Sequence, residues 1–335
     1  MSKSIFITGV AGFLGSHIAD AMLAKGYRVV GNDTLLGGYL DNVPEGIEFH
    51  EVDCTDFSKM KKITKGIDVV YHTAAIACEG LSVFSPHLIA SNIVGASVGT
   101  FSAAISNGCK RIVHCSSMAR YGTNKVPFQE DYTPRPQDPY GIGKVAAEGI
   151  LKNLCEVHET EYVIAIPHNI IGPRQKYNDP FRNVASIMIN LMLQDRQPTI
   201  YGDGQQMRCF SFIQDDIGIL EKLVDDPSVV GEIINIGPDE EFVTILQLAE
   251  TIAKLLDFDL NPIYMTGRPQ EVKLANCSAD KVRRLLGYET KWTLEKGLST
   301  MIDYIKDRGP RPFDYHLELE IITDKTPRTW KEKLF

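Results

Sequence analysis

Paired cysteines, surplus positive charge and long apolar runs are all scarce in this 335-residue chain. Its seven cysteines (Cys54, Cys78, Cys109, Cys115, Cys155, Cys209 and Cys277) are odd in number, and no two form a C-x-x-C pair. That excludes a disulfide framework and a cysteine-based structural zinc site, so no metal is expected. Free thiols suit a reducing cytoplasm. Lys and Arg number 35 against 43 Asp and Glu, a net charge of −8. The chain is therefore a poor candidate for sequence-independent binding to nucleic acid, and it offers no global attraction to anionic lipid. Any phosphate must be held locally, by individual arginines and backbone amides. No apolar run approaches the roughly 18 residues of a membrane helix. The chain reads as a strand from Ser4 onward, which leaves no room for a signal peptide. Internal repeats and low-complexity tracts are also missing.

What is present is ordinary globular material, 44% hydrophobic and 23% charged, with ample substance for a core. Short apolar strands are expected at Ser4–Thr8, Arg28–Asp33, Ile47–Asp53, Asp68–Thr73, Arg111–Ser116 and Glu161–Ile166. Helical patterns separate most of them: Phe13–Lys25, Asp56–Lys65, Pro86–Asn107 and Tyr140–Glu159. This alternation predicts an α/β fold, a doubly wound parallel sheet of Rossmann type with helices on both faces. After Pro167 the rhythm changes. Helices are expected at Pro180–Gln194, Thr244–Leu256, Ala279–Leu286 and Leu294–Lys306, with strands at Thr199–Tyr201 and Glu232–Gly237. The division expected is a nucleotide-binding domain over 1–167, with 211–236 returning to it. A smaller α/β substrate domain then takes 168–210 and 237–335, including a tail from Gly309 rich in proline, aromatics and charge.

Strand one runs into Gly9-x-x-Gly12-Phe13-Leu14-Gly15 and then a helix. One glycine permits a tight turn, one lets backbone approach a pyrophosphate, and one lets the helix pack on the sheet. The helix start then offers unpaired N–H groups and a positive dipole end to the phosphates. Asp33 ends the second strand, where a carboxylate accepts hydrogen bonds from ribose hydroxyls and repels the extra phosphate of NADP. Asp53, ending the third strand, is placed to meet the adenine amine.

Tyr140-x-x-x-Lys144 opens a helical pattern, so phenol and ammonium share one helix face. A free phenol titrates near ~10, too high for a base at neutral pH, and a neighbouring cation lowers that value. Such a tyrosine can take the proton from a hydroxyl as a hydride leaves the same carbon. Ser117 follows the Arg111–Ser116 strand at the sheet edge where ligands bind, and its hydroxyl can bond the same oxygen.

With Tyr71-His72-Thr73-Ala74-Ala75, Asn92, Ser116-Ser117 and Asn169-Ile170-Ile171-Gly172-Pro173, these motifs resemble the extended short-chain dehydrogenases. More narrowly, the chain resembles their NAD-dependent nucleotide-sugar epimerase/dehydratase group, over residues 3 to about 305. The resemblance implies Ser117, Tyr140 and Lys144 at the reacting carbon. It implies NAD held by Gly9, Gly12, Phe13, Leu14, Gly15, Asp33, Asp53, Cys54, Thr73, Ala74, Ala75, Asn92 and Pro167, together with Tyr140 and Lys144. It also implies a nucleoside-diphosphate sugar held by Asn169, Arg174, Arg208, Arg268 and Glu271, since an arginine fork matches phosphate oxygens. A homodimer pairing Pro86–Asn107 and Tyr140–Glu159 is implied as well. Two positions depart from the family pattern: Ile166, where many relatives carry arginine, and Arg120, where a small aliphatic residue is usual.

The reaction expected is C4 epimerisation of a nucleotide sugar: oxidation by hydride transfer to bound NAD, then reduction on the opposite face. A 4-dehydrogenase, decarboxylase or dehydratase of the same family is the alternative, and a non-catalytic NAD-binding subunit is a third reading. Family dehydratases carry Asp-Glu directly after the active-site serine or threonine. Here Met118 and Ala119 stand there, and neither can transfer a proton.

Overall fold

The structure, a computed structural model, describes residues 2–335. Seven strands form one sheet: β1 (Ser4–Thr8), β2 (Arg28–Asp33), β3 (Glu48–Glu51), β4 (Val69–His72), β5 (Arg111–Cys115), β6 (Glu161–Pro167) and β7 (Ile233–Ile236). Their order is β7-β6-β5-β4-β1-β2-β3, every neighbouring pair parallel. The central strands are buried on both faces, which is why apolar residues stand side by side in them, as in Val69-Val70 and Ile112-Val113, rather than in alternation. The order reverses beside β1, and a crevice opens there at the carboxyl ends of the strands, where open α/β sheets bind ligands.

Helices α1 (Phe13–Ala24), α2 (Phe57–Ile63), α3 (Pro86–Ser106) and α4 (Pro139–Val157) make the crossovers. Prolines at the first turn of α3 and α4 fit a position whose N–H is unpaired in any case. Asp138 caps α4, accepting from the Gly141 N–H at 2.9 Å. Ile5, Ile7, Val69 and Val113 pack on one face of the sheet, Phe6, Val70 and Ile112 on the other.

Contrary to the expectation from sequence, one segment is apolar enough by length and composition to cross a membrane, the 21-residue α3. Half of its most apolar window is buried in the protein. Its polar residues do not interrupt the pattern because Ser97 and Thr100 return their hydroxyls to the Ile93 and Ala96 carbonyls.

After β6 come α5 (Val184–Met192), α6 (Ile213–Leu220), α7 (Ile245–Leu256), α8 (Asp280–Leu286) and α9 (Leu294–Arg308); α6 and α8 pack on the main sheet through Leu220, Val282 and Leu286, and α5, α7 and α9 build a second layer. Helices α5, α7 and α9 share a core of Met188, Ile189, Leu248, Ile252, Leu298 and Ile302. Between α6 and α8 the chain returns to the main sheet, where β7 pairs with β6. Short strands frame the layer: Met207–Cys209 lies between Phe242–Thr244 and Leu274–Ala275, and Thr199–Tyr201 pairs with Ile263–Met265. At three residues or fewer, most of them carry no readable period. Helix α5 begins at Val184 rather than at Pro180, because the Asn183 side chain caps it by accepting from the Ala185 N–H. Residues 180–183 are thereby left as a turn.

Candidate active site

Two adjoining cavities, of about 430 and 440 Å3, lie where β1, β2, β4 and β5 end. The first is built on the glycine turn. Gly9 has φ +71° and donates its N–H to the Asn32 carbonyl at 2.7 Å, which ties the turn to β2. A Cβ on Gly15 would stand 2.2 Å from the Gly9 carbonyl oxygen, so the start of α1 sits this close only because a side chain is missing there. Gly12 is the N-cap of α1, and no side chain caps the first turn. Gly9, Gly12, Phe13, Leu14 and Gly15 all line the cavity, so its floor is a helix N-terminus left open to a phosphate.

Asp33 stands at the far wall. Its Oδ2 accepts from the Ala11 N–H (3.0 Å) and its Oδ1 from the Leu35 N–H (2.7 Å). Burial pushes its pKa up, and these backbone donors act against that. Asp53 and Cys54 line the same wall. The Asp53 Oδ1 accepts from Thr55, while the Cys54 thiol lies 3.2 Å from the Asn32 amide nitrogen. Thr73, Ala74 and Ala75 form the opposite side, the Thr73 hydroxyl donating to the Thr8 carbonyl at 2.6 Å. Asn92 and Pro167 also line this cavity. An uncapped helix start beside a buried carboxylate at the end of β2 fits the pyrophosphate and ribose of a dinucleotide.

Tyr140 lies on the wall that the two cavities share, with Ser117 in the second and Lys144 in the first. Lys144 is buried and donates to the Cys115 carbonyl at 2.9 Å, its Nζ 6.0 Å from the centre of the Tyr140 ring. Burial lowers its pKa to about 8. Burial likewise pushes the Tyr140 phenol upward, the reverse of the lowering expected from a nearby cation, and the Ser117 hydroxyl beside it pulls the other way. The protein alone therefore holds Tyr140 as the neutral phenol.

The second cavity reaches from Tyr140 into the C-terminal layer and is lined by Asn169, Arg208, Arg268 and Glu271. Asn169 donates to the Cys209 carbonyl at 2.9 Å. Arg268 pairs with Glu271 at 2.7 Å and stacks 4.7 Å from the Tyr201 ring centre. Arg174 is not brought to this wall: its guanidinium meets Asp20 at 2.6 Å. The departures from the family pattern lie behind the site. Ile166 is fully buried in β6, in the apolar core on one face of the sheet. Arg120 is buried too, paired with Glu148 of α4 at 3.0 Å.

Several walls were not visible in the sequence. Arg182, from the turn before α5, lines both cavities, its Nε 3.1 Å from Asp179. Its clue was a cation in an otherwise uncharged Pro-Phe-Arg-Asn stretch. Glu79 also faces the second cavity, where burial and the neighbouring Asp138 carboxyl raise its pKa and Arg208 opposes the rise. Trp330 and Phe335 enter from the tail.

A family profile described as NAD dependent epimerase/dehydratase matches residues 5–237. The chain belongs to that family. UDP-glucose 4-epimerase of Mycolicibacterium smegmatis is 29% identical, over 90% of this chain and 98% of its own length. Among solved structures, a Thermotoga maritima UDP-glucose 4-epimerase with UDP-glucose superposes with a TM-score of 0.85 at 29% identity, covering 91% of this chain and 99% of its own. A Bacillus cereus UDP-glucuronic acid 4-epimerase in complex with UDP-glucuronic acid and NAD gives 0.84 at 30%, covering 91% and all of its own chain. About a tenth of this chain lies outside what these relatives share. Family membership and geometry agree on an NAD-dependent enzyme of Rossmann architecture, with NAD as its cofactor.

Proposed function

We propose that this enzyme epimerises C4 of a nucleoside-diphosphate hexose. The observation that carries the reading is the position of Tyr140 on the wall shared by the cofactor cavity and the arginine-lined cavity. Bound NAD supplies a hydride acceptor at the sugar carbon and then a hydride donor to the same carbon. Tyr140 takes the O4 proton as the C4 hydride departs and returns it as the hydride comes back on the other face. Ser117 orients O4 from the second cavity. Lys144, fixed by the Cys115 carbonyl, supplies the positive charge that favours the phenolate. The positive nicotinamide adds to that charge when NAD is bound. Arg208 and Arg268 hold the diphosphate while the keto sugar turns, so binding energy is concentrated on the part of the substrate that stays still. Incubating the NAD-loaded enzyme with UDP-, dTDP- and GDP-hexoses tests this. A C4 epimer is expected from at least one, and a panel with no turnover contradicts the reading.

One feature favours a second reading. Glu79 lines the second cavity together with Tyr140, a carboxyl group able to move a proton at a carbon next to a C4 ketone. Such chemistry inverts C3 or C5 and exchanges a C–H with solvent, which simple C4 epimerisation does not.

We assign residues 1–167 with 211–236 to the cofactor half, and 168–210 with 237–335 to the substrate half. A homodimer through the outer faces of α3 and α4 is our reading of the assembly, supported by the exposed Val98 and Ile142 on those helices. A cytoplasmic location suits seven buried, unpaired thiols.

A further inference from the structure

The family resemblance ends near residue 305, yet the chain beyond Gly309 is tied down along its length. The Glu318 carbonyl accepts from the Ser85 hydroxyl at 2.6 Å. The Glu320 carboxylate accepts the N–H groups of His87 (2.9 Å) and Leu88 (2.6 Å) in the first turn of α3. Arg311 exchanges two hydrogen bonds with the Asn190 side chain, and the Leu334 carbonyl accepts from Arg196. This route delivers the last turn of the chain, Arg328–Lys331, to the second cavity.

Two contacts there reach the substrate machinery. The Thr329 hydroxyl is hydrogen-bonded to the Tyr201 phenol, and the Tyr201 ring carries the Arg268 guanidinium. Trp330 is 2% exposed, donates to the Pro180 carbonyl at 3.2 Å and packs edge-on against Phe84 and Phe181. A Cβ placed on Gly80 would lie 3.4 Å from both the Trp330 ring and Arg268 Nη1, so indole and guanidinium converge on one spot of the wall. The Arg268 Nε, although buried, has no hydrogen-bond partner. A buried donor without a partner is costly, and an oxygen ligand would relieve it.

We propose that the tail beyond Gly309 is a working wall of the substrate site, in which Thr329 fixes the Tyr201–Arg268 pair that grips the diphosphate and Trp330 keeps that grip dry. This rests on the nucleotide-sugar reading above. Thr329 is a positioning residue: it acts through Tyr201 on Arg268 and touches no reacting atom. Water exclusion by Trp330 strengthens both the cation–π contact and the phosphate contact, because each weakens in a high dielectric. The tail therefore acts on binding and leaves hydride transfer alone.

The test compares wild type, Thr329→Val, Trp330→Ala and a chain ending at Gly309, all loaded with NAD. Calorimetric titration with UDP, dTDP and GDP gives the dissociation constant of the preferred diphosphate. Kinetics with the matching nucleotide hexose give KM and kcat. Thr329→Val keeps the side-chain shape and should weaken diphosphate binding and raise KM by about threefold to tenfold, the value of one hydrogen bond. Its kcat should stay near wild type, while its melting temperature falls modestly because the Tyr201 phenol loses its partner. Trp330→Ala should weaken binding further. If the truncated chain does not fold, Thr329→Val decides. Unchanged affinity and KM in both point variants, with only the melting temperature lowered, would reduce the tail to a structural strap and leave the nucleotide-sugar reading intact. A wild-type protein that binds NAD and no nucleoside diphosphate would overturn both.

Discussion

In the proposed mechanism Tyr140 is the residue on which the chemistry turns, and its environment sets what its replacement must do. Removing only the hydroxyl, Tyr140→Phe keeps the buried ring and should leave the fold and NAD binding intact. Turnover should fall by about 10²–10⁴-fold, the usual contribution of a positioned acid–base group. Retention of more than about a tenth of the wild-type rate would point to another base. Beneath Lys144, His114 is fully buried on β5, stacked 5.4 Å from His72, with neither ring nitrogen hydrogen-bonded. Burial, Lys144 and His72 together hold its pKa well below the ordinary histidine value. The unfolded chain therefore binds a proton here that the folded chain refuses, and this stability is lost as pH falls below about 6.5. Between pH 7.5 and 5.5 the loss from one such group is on the order of 1 kcal/mol. His114→Leu should thus gain stability relative to wild type by about that much over the same interval, measured by denaturant unfolding at the two pH values. A pH-independent difference would mean that His114 titrates alike in the folded and unfolded chains, which would contradict this account. At this scale the sequence was readable where the chemistry is local. The glycine turn, Asp33 and Tyr140–Lys144 each lie within a few residues of one strand end or helix turn. Glu79, Arg182 and Trp330 meet only because loops far apart in sequence converge on one cavity, and no spacing records that.

Among the elements, α4 connects chemistry to scaffold. Its first turns carry Tyr140 and Lys144, and one turn further Glu148 receives Arg120 at 3.0 Å and the Ser116 hydroxyl at 2.5 Å. This buried pair locks the segment after β5, and with it Ser117, against the helix that bears the base. Arg120→Ala leaves the Glu148 charge buried without its cation, which should cost about 3–5 kcal/mol. Replacing both, as Arg120→Met with Glu148→Leu, should recover most of that loss. Chemical unfolding of the single and double variants decides, and an Arg120→Ala protein as stable as wild type would refute the arrangement. Long periodic elements such as α3, α4 and α9 were legible within two residues at each end, because burial of one face imposes a period. The two- and three-residue strands around Met207–Cys209 were not, since pairing partners rather than local pattern create them. Arg120 shows the other limit: a motif position can be read correctly while its partner, 28 residues away, stays hidden.

On the scale of the whole molecule, the glycine-turn cavity lies at the sheet, Arg208 and Arg268 come from the C-terminal half, and Tyr140 stands on the wall between the two cavities. The outward faces of α3 and α4 leave Val98 and Ile142 exposed, with Ile142 at 55%. Light scattering at micromolar concentration should give twice the chain mass of 37.3 kDa. Ile142→Glu should shift that to the monomer mass, and a monomeric wild type would contradict this assembly. The fold class was legible because strand and helix periods alternate throughout the first half. The way the tail closes the second cavity was not, because its anchors on Ser85, Asn190 and Tyr201 lie more than a hundred residues upstream. The central claim is C4 oxidation and reduction with the rest of the sugar untouched, and running the reaction in heavy water tests it most directly. With the preferred nucleotide hexose and bound NAD, nuclear magnetic resonance should show the C4 epimer with no solvent deuterium on any ring carbon. Deuterium at C3 or C5, or a 4-keto-6-deoxy product labelled at C5, would contradict it.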